Sequence, residues 1–156
     1  MFFLRHFFKD NLILILSLLL LGLLFILWGR IIISEMQLNI QTTNLTTTQK
    51  RVDAISYYGW EADPGGETTR KATIPNPLDA VYVEYNRLQT PCGFDLRLHQ
   101  GKTVDVYTYP VLNFPYPIEA PVYVNILVDK GTLIGGDLMT RALDGFMLPL
   151  DKKFLP

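Results

Sequence analysis

The chain has 156 residues, about the size of one domain, and its 14 Lys and Arg residues nearly balance its 15 Asp and Glu residues. A nucleic-acid-binding protein needs a clustered basic face, and the sequence has none, so nucleic acid is not an expected partner. Hydrophobic residues make up 49% of the chain, and their excess lies near the N-terminus.

That apolar excess predicts a membrane anchor. Residues 12–28 read LILILSLLLLGLLFILW, and with residues 29–33 the run reaches the ~20 residues of a spanning helix. The run has no polar face, unlike a helix on the surface of a soluble protein. A cleaved signal peptide would have a shorter apolar core and a small-residue cleavage site, so an uncleaved anchor is favoured. The predicted partner of residues 12–33 is therefore the lipid bilayer.

The charges that flank the span predict its orientation. Arg5 and Lys9 precede it, opposed only by Asp10, whereas Arg30 alone stands at the far end. The positive-inside rule then makes residues 1–11 a cytoplasmic N-terminus and puts the rest outside the membrane. The single cysteine, Cys92, cannot form an internal disulfide, and an exported domain without disulfides favours a Gram-positive cell envelope.

After the anchor, residues 34–47 are polar and rich in threonine, and they are predicted to form a tether.

Residues 49–58 have an apolar face at helical spacing, with Thr47 or Thr48 as the cap and Gly59 as a left-handed stop. An extended piece starts at Trp60. Residues 63–66 predict a turn, and residues 67–74 are expected to return as the second strand of a hairpin.

Residues 79–89 predict the second helix of the domain. Its apolar stripe falls at three- and four-residue spacing and consists of Leu78, Val81, Tyr82, Tyr85 and Leu88. Asp79 suits the positive end of the helix dipole, and Pro91 and Gly93 end the helix. This stripe is expected to supply much of the core.

The sequence period changes to two after residue 102. Strands are predicted over residues 103–112 and 122–128 and from Thr132 onward, with a turn at residues 129–131 and Pro110 at an edge or a bulge. The predicted fold class is therefore α+β. Two helices would pack on an antiparallel sheet of three or more strands that ends in a β-hairpin. The extracytoplasmic domain would span residues 48–150, followed by a tail, 151–156.

The stretch LIGGDLMTRALDGFM, residues 133–147, carries the most suggestive chemistry. A phosphate loop at Gly135 and Gly136 would need a following helix and a lysine, so a bulge or a close backbone approach is favoured. Asp137 and Asp144 could form an acid/base or metal pair. Local backbone bonding by Asp137 and an Asp144-Gly145 turn are the favoured alternatives.

The remaining reactive residues do not form a recognisable set. His99 lies in a polar stretch and is expected to be a surface residue, and Cys92 is expected to be a passive thiol at a helix stop. No cofactor or metal site is predicted. The heavy aromatic load favours a core, with an exposed binding patch as the alternative. The candidate patch residues are Trp60, Tyr107, Tyr109 and Phe114.

Several stretches together resemble a known family. They are YYGWE at 57–61, TIP at 73–75, VYVEYNRLQ and GFDL within 81–96, GKTV at 101–104, YTYPVLNFP at 107–115, and IGGDL and LDGFM within 134–147. The chain in this respect resembles the family catalogued as domain of unknown function 4830, which comprises small membrane-anchored proteins of Gram-positive spore formers. The resemblance covers about residues 48–147. It implies the bacterial envelope and no activity, because the family has none assigned.

The leading hypothesis is a single-pass, non-enzymatic envelope protein that binds a protein or peptide partner. An enzyme or metal-dependent site that uses Asp137 and Asp144 is the first alternative. An accessory subunit of a membrane complex is the second.

Overall fold

The computed structural model describes residues 11–142 and 144–155, and for residues 37–41 it describes the backbone alone. All but one residue of the predicted N-terminal segment 1–11, and the last residue of the predicted tail, lie outside the described part. Two units make up the chain, and the boundary between them falls between Asn39 and Ile40.

Helix α1, Leu12–Thr42, makes up the described part of the first unit after Asn11, and its last three residues belong to the second unit. Its segment Leu12–Met36 is long and apolar enough to cross a membrane, and it is the one such helix among the described residues. Those 25 residues span about 37 Å at 1.5 Å per residue, more than the ~30 Å of a bilayer core. Helix α1 ends at Thr42, so much of the stretch predicted to be a tether is helical. Leu45, near the end of that stretch, is buried in the core of the second unit.

The second unit is an α+β domain, as predicted. Its helices are α2, Thr48–Tyr57, and α3, Ala80–Gln89. The strands are β1, Thr68–Thr73; β2, Thr103–Pro110; β3, Val122–Asp129; β4, Thr132–Thr140; and β5, Met147–Pro149. They form one antiparallel sheet in the order β1-β2-β3-β4-β5, so each strand pairs with its neighbour in the sequence.

The predicted helix boundaries are confirmed by their caps. The hydroxyl of Thr47 accepts the Lys50 backbone N–H, and Gly59 follows α2 with a left-handed φ of 92°. Asp79 caps α3 by accepting the Tyr82 N–H at 2.8 Å. These side chains satisfy amide groups that the first turn of a helix leaves without partners.

The β3–β4 hairpin is also confirmed. Asp129 pairs with Thr132, and the two loop residues Lys130 and Gly131 have φ values of 51° and 83°. Positive φ at both positions is the geometry of a type I′ turn, which matches the twist of the flanking strands.

Two predictions about the sheet are wrong. The strand at residues 67–74 does not form a hairpin with the extended piece before it but pairs along its length with β2, and Ala62 of that piece makes only an isolated bridge to Val111. Pro110 marks neither an edge strand nor a bulge. Strand β2 is interior, and Pro110 is its last residue, beyond the last pair with β1 at Thr68 and Thr108.

The sheet has a hydrophobic core on each face, because alternate residues of β2 point to opposite sides. The larger core includes Ile55 from α2, with Trp60 and Tyr109. The smaller core includes Val104 and Val106, with Tyr82 and Tyr85 of α3 packed against it. The sequence predicts that the apolar stripe of α3 supplies much of the core. It is instead largely half-buried or exposed, and Val81 keeps 73% of its surface exposed.

Candidate binding cavity

A cavity of about 530 Å³ explains why the α3 stripe is not fully packed. It lies between α3 and the sheet face that carries the smaller core. Its volume is in the range of ~300–1,000 Å³ that is usual for small-molecule sites. Most of its wall is apolar or aromatic and consists of Ala72, Val81, Tyr82, Tyr85, Leu88, Val106, Leu127, Met139 and Met147. Arg70, Glu84, Asn125 and Asp137 supply the polar part of the lining.

Asp137 is the most deeply buried polar group of this cavity, with 1% of its surface exposed. Its Oδ1 accepts the Tyr85 hydroxyl at 2.6 Å, and its Oδ2 accepts the Asn125 Nδ2 at 2.9 Å. The Oδ1 of Asn125 in turn accepts the Thr108 hydroxyl at 2.6 Å. The bond from Thr108 fixes the direction of the Asn125 amide, so that its NH2 group points to Asp137. The Asp137 carboxyl group therefore has two neutral donors, the Tyr85 hydroxyl and the Asn125 amide.

The electrostatics of Asp137 follow from its position. Burial raises the pKa of the Asp137 carboxyl, and the hydrogen bonds from Tyr85 and Asn125 and the charge of Arg70 offset this only in part. Burial, together with the adjacent carboxyl, raises the pKa of the Tyr85 phenol well above its usual range. A buried acid in a cavity with a shifted pKa is a common mark of a functional site.

The two glycines before Asp137 allow close packing on both faces of the sheet, and Gly135 is the one that faces α3. A Cβ on Gly135 would lie 2.9 Å from Gln89 Oε1, and that same oxygen accepts the Gly136 N–H at 2.8 Å. On the opposite face, a Cβ on Gly136 would lie 2.7 Å from the Asn125 carbonyl oxygen and 2.9 Å from Leu150. The predicted close backbone approach is therefore present.

The predicted bulge lies next to the glycines and not at them. The β3–β4 register shifts where Leu127 pairs with Gly135 and Val128 pairs with Leu133, which leaves Ile134 as the additional residue. Both glycines are paired in the ladder. Their role is to leave space, because a side chain at either position would clash with neighbouring atoms, Gln89 at position 135 and the Asn125 carbonyl oxygen and Leu150 at position 136.

Asp144 and Gly145 are apart from this cavity. Asp144 is exposed in the β4–β5 connection and lines a second cavity, of about 340 Å³, with Ile118 and Phe146. The Gly145 N–H donates to the Ala142 carbonyl, as expected of a turn. Asp137 and Asp144 thus line different cavities, and the structure does not bring them together as an acid pair.

The aromatic candidates belong mainly to the core. Trp60 and Tyr109 are buried, and Trp60 Nε1 donates to the Leu150 carbonyl at 2.6 Å. Phe114 stacks on both Trp60 and Phe146. The exposed-patch hypothesis is therefore wrong for Trp60 and Tyr109, because the sheet and α2 cover them.

A partly buried ion pair contacts Tyr107 and Tyr109. Arg51 Nη2 lies 2.8 Å from Glu67 Oε1, and its Nε donates to the Tyr109 hydroxyl at 2.8 Å. The Tyr109 hydroxyl donates to Glu67, and the Arg51 guanidinium lies 3.9 Å from the Tyr107 ring centroid. Burial raises the pKa of Glu67, but the hydrogen bonds from Tyr109 and Arg51 outweigh it and lower the pKa. This network joins α2 to the residues around β1 and β2.

His99 and Cys92 have different partners. His99 Nδ1 lies 3.5 Å from Asp129 Oδ2, and Lys102 binds the same oxygen. The Cys92 thiol accepts the Asp151 N–H at 3.4 Å, and burial raises its pKa, which favours the unreactive thiol form. Among the described residues, no group of three or more His, Cys, Asp or Glu side chains is arranged to hold a metal ion.

Sequence reasoning identified Asp137 but not its partners Tyr85 and Asn125. Asn125 is the one amide within the apolar strand VYVNILV, and a polar residue in such a strand was the available signal. The apolar spacing of α3 predicts only that Tyr85 belongs to the core stripe of its helix. Its hydroxyl gave no sign of a partner 52 residues away.

Comparisons of this chain with protein-family models, with curated proteins and with solved structures found no match.

Proposed function

We propose that this protein is a single-pass membrane protein of the bacterial envelope whose domain outside the membrane is a non-catalytic binding module. The cavity between α3 and the sheet carries the proposal. It is large enough for a small molecule or for a side chain of a peptide partner, and it combines an apolar wall with one buried, oriented acid, Asp137. Few oriented polar groups in an apolar wall are typical of binding sites.

The anchor and the orientation are part of the proposal. The support is the apolar helix together with Arg5 and Lys9 before it, which favour a cytoplasmic N-terminus. Thr46 is exposed and lies after the helix, so it is a suitable labelling position. In a Cys92→Ser background, an impermeant maleimide on intact cells should label Thr46→Cys and leave Phe2→Cys unlabelled. The reverse pattern would refute the orientation.

Photocrosslinking in the native host tests the binding module. A photoreactive residue at Val81 would stand at the cavity rim, and one at Leu98 would be equally exposed but outside the cavity lining. The exposed fractions are 73% and 75%. We expect adducts at position 81 and none at position 98, and mass spectrometry would show whether the adduct is a small molecule or a peptide. Adducts of the same mass and yield at both positions would contradict the proposal.

We further infer that the chain is a member of the family catalogued as domain of unknown function 4830. The motifs quoted above support this inference, and several of them have structural roles. IGGDL contains the glycines that face Gln89 and Leu150, and VYVEYNRLQ is helix α3. An experimental structure of a family member with a different strand order would refute the membership.

A further inference from the structure

We infer that the α3 cavity binds a small organic cation, a protonated amine with an apolar body, whose ammonium group pairs with the Asp137 carboxylate. The inference rests on the proposed function, because it takes this cavity as the binding site. It adds the chemical class of the ligand.

The first argument is that Asp137 is oriented but has acceptor capacity left. Each of its oxygens accepts one hydrogen bond, from Tyr85 and from Asn125. An ionised carboxylate has about four acceptor positions, so about two remain. Because Asp137 has 1% of its surface exposed, a donor that enters the cavity reaches these positions through a shift of the side chains around the carboxylate. A protonated amine carries two or three donors on one small charged group and can use them.

The second argument is that the domain provides no direct counter-charge. Among the described residues, no Lys, Arg or His nitrogen forms an ion pair with Asp137 within 4.0 Å, although most buried acids are paired. Arg70 lies in the cavity lining and is exposed, and it acts on Asp137 through its charge without a hydrogen bond. An ionised carboxylate in this position is costly without a cation, and a ligand ammonium group would supply one.

The third argument is the wall around the acid. Val106 and Leu127 of the sheet and Leu88 of α3 offer apolar surface to the body of a ligand. Met139 and Met147 add flexible thioether side chains that adapt to different shapes. An anionic ligand would bring a second negative charge to Asp137, and a neutral ligand would leave its charge without a partner.

Methionine methyl NMR on the full chain in zwitterionic lipid nanodiscs provides the test. The chain has four methionines. Met139 and Met147 line the cavity, whereas Met36 lies in the apolar helix and reports partition of a probe into lipid. The probes are phenylbutylamine, phenylbutanol and phenylbutanoate, which share one apolar body and differ in the head group.

At neutral pH we expect the amine to shift the Met139 and Met147 signals to saturation. The alcohol should bind about tenfold more weakly, since it lacks the charged hydrogen bond, and the butanoate should give no shift at these signals. Asp137→Asn should remove the preference of amine over alcohol. Arg70→Ala should strengthen amine binding, because it removes a competing cation from the cavity lining.

The outcomes separate this inference from the proposed function. Equal binding of all three probes would overturn selection by charge and leave the cavity as a binding site. Tight butanoate binding that Arg70→Ala abolishes would show an anion site and also overturn the inference. No shift at Met139 and Met147 with any probe would count against the cavity itself. The three-probe comparison uses the unmodified chain, so it stands even if Asp137→Asn fails to fold.

Discussion

The Tyr85 hydroxyl of helix α3 donates to Asp137 Oδ1 of strand β4 across 2.6 Å, although the two residues lie 52 positions apart in the chain. Both residues line the cavity, and the bond between them joins the helix to the sheet. It is therefore both a structural contact and a determinant of the charge state of the buried acid.

Tyr85→Phe should raise the pKa of Asp137 further, because it removes a donor that favours the ionised carboxylate. The same change should lower the free energy of unfolding by about 1 kcal/mol through the lost hydrogen bond. The pKa can be measured by NMR titration of labelled aspartate carboxyl carbons. Tyr82→Phe is the matched control, since Tyr82 lines the same cavity but does not bond to Asp137. An equal pKa shift in both variants would refute the assignment.

The free energy of unfolding of Asp137→Asn, measured relative to that of the unmodified chain, should increase as the pH rises. Burial raises the pKa of Asp137 above its ordinary value of 3.8, so the neutral acid stabilises the fold below that value. This contribution is lost as the pH rises through the raised pKa, whereas an asparagine does not titrate. Urea unfolding at several pH values above 3.8, followed by Trp60 fluorescence in a Trp28→Phe background, measures the difference. A difference that does not change with pH would contradict the raised pKa.

Gly136→Ala should destabilise the domain by about 1–3 kcal/mol, because its Cβ would lie 2.7 Å from a backbone oxygen of Asn125, which cannot move alone. Gly135→Ala is the matched control in the same strand. Its Cβ would meet the end of the Gln89 side chain, which can rotate away at a cost of about 1 kcal/mol for its hydrogen bond. The same urea assay ranks the two, and a larger loss for Gly135→Ala would contradict the packing described.

Glu67→Gln should lower the free energy of unfolding by about 2 kcal/mol. This is less than the ~3–5 kcal/mol for breaking a fully buried ion pair, because 20% of the Glu67 side chain stays exposed. Glu84→Gln, which breaks an exposed pair with Arg87, should change stability by less than about 0.5 kcal/mol.

The Glu67 contribution should also depend on pH. Its pKa in the folded state lies below the ordinary value of 4.5, so its stabilisation is present above that value. The stabilisation is lost as the pH falls through the lowered pKa. The difference between the unmodified chain and Glu67→Gln should therefore shrink in acid, opposite in sign to the effect at Asp137. A difference that grows in acid would contradict the lowered pKa.

Much of the local structure was predictable because it depends on neighbouring residues alone. The apolar run up to Trp28 predicts a long helix, Asp79 predicts the start of α3, and Gly131 predicts the β3–β4 turn. In each case the cause is a property of one short stretch: a helical apolar pattern, a cap or a residue that tolerates positive φ. Gly93, expected to help end α3, instead ends the short 3-10 turn Thr90–Cys92 that follows the helix.

The partner of β1 was not predictable in this way. Strand β1 pairs with β2 after α3 and two short turns, and its exposed, poorly alternating residues gave no register. Pairing between strands that are so far apart in the sequence depends on how the rest of the domain packs. The alternation of side chains within one strand does not identify its partner.

One apolar helix before an α+β domain follows from the amino-acid sequence alone, and so does a bulge or a close backbone approach at Gly135 and Gly136. The surroundings of Asp137 follow only from the tertiary fold. It separated Asp137 from Asp144, buried it in a cavity and gave it Tyr85 and Asn125 as partners. The reason is that burial and hydrogen bonding between distant segments set the charge and accessibility of an acid, and no local pattern encodes them.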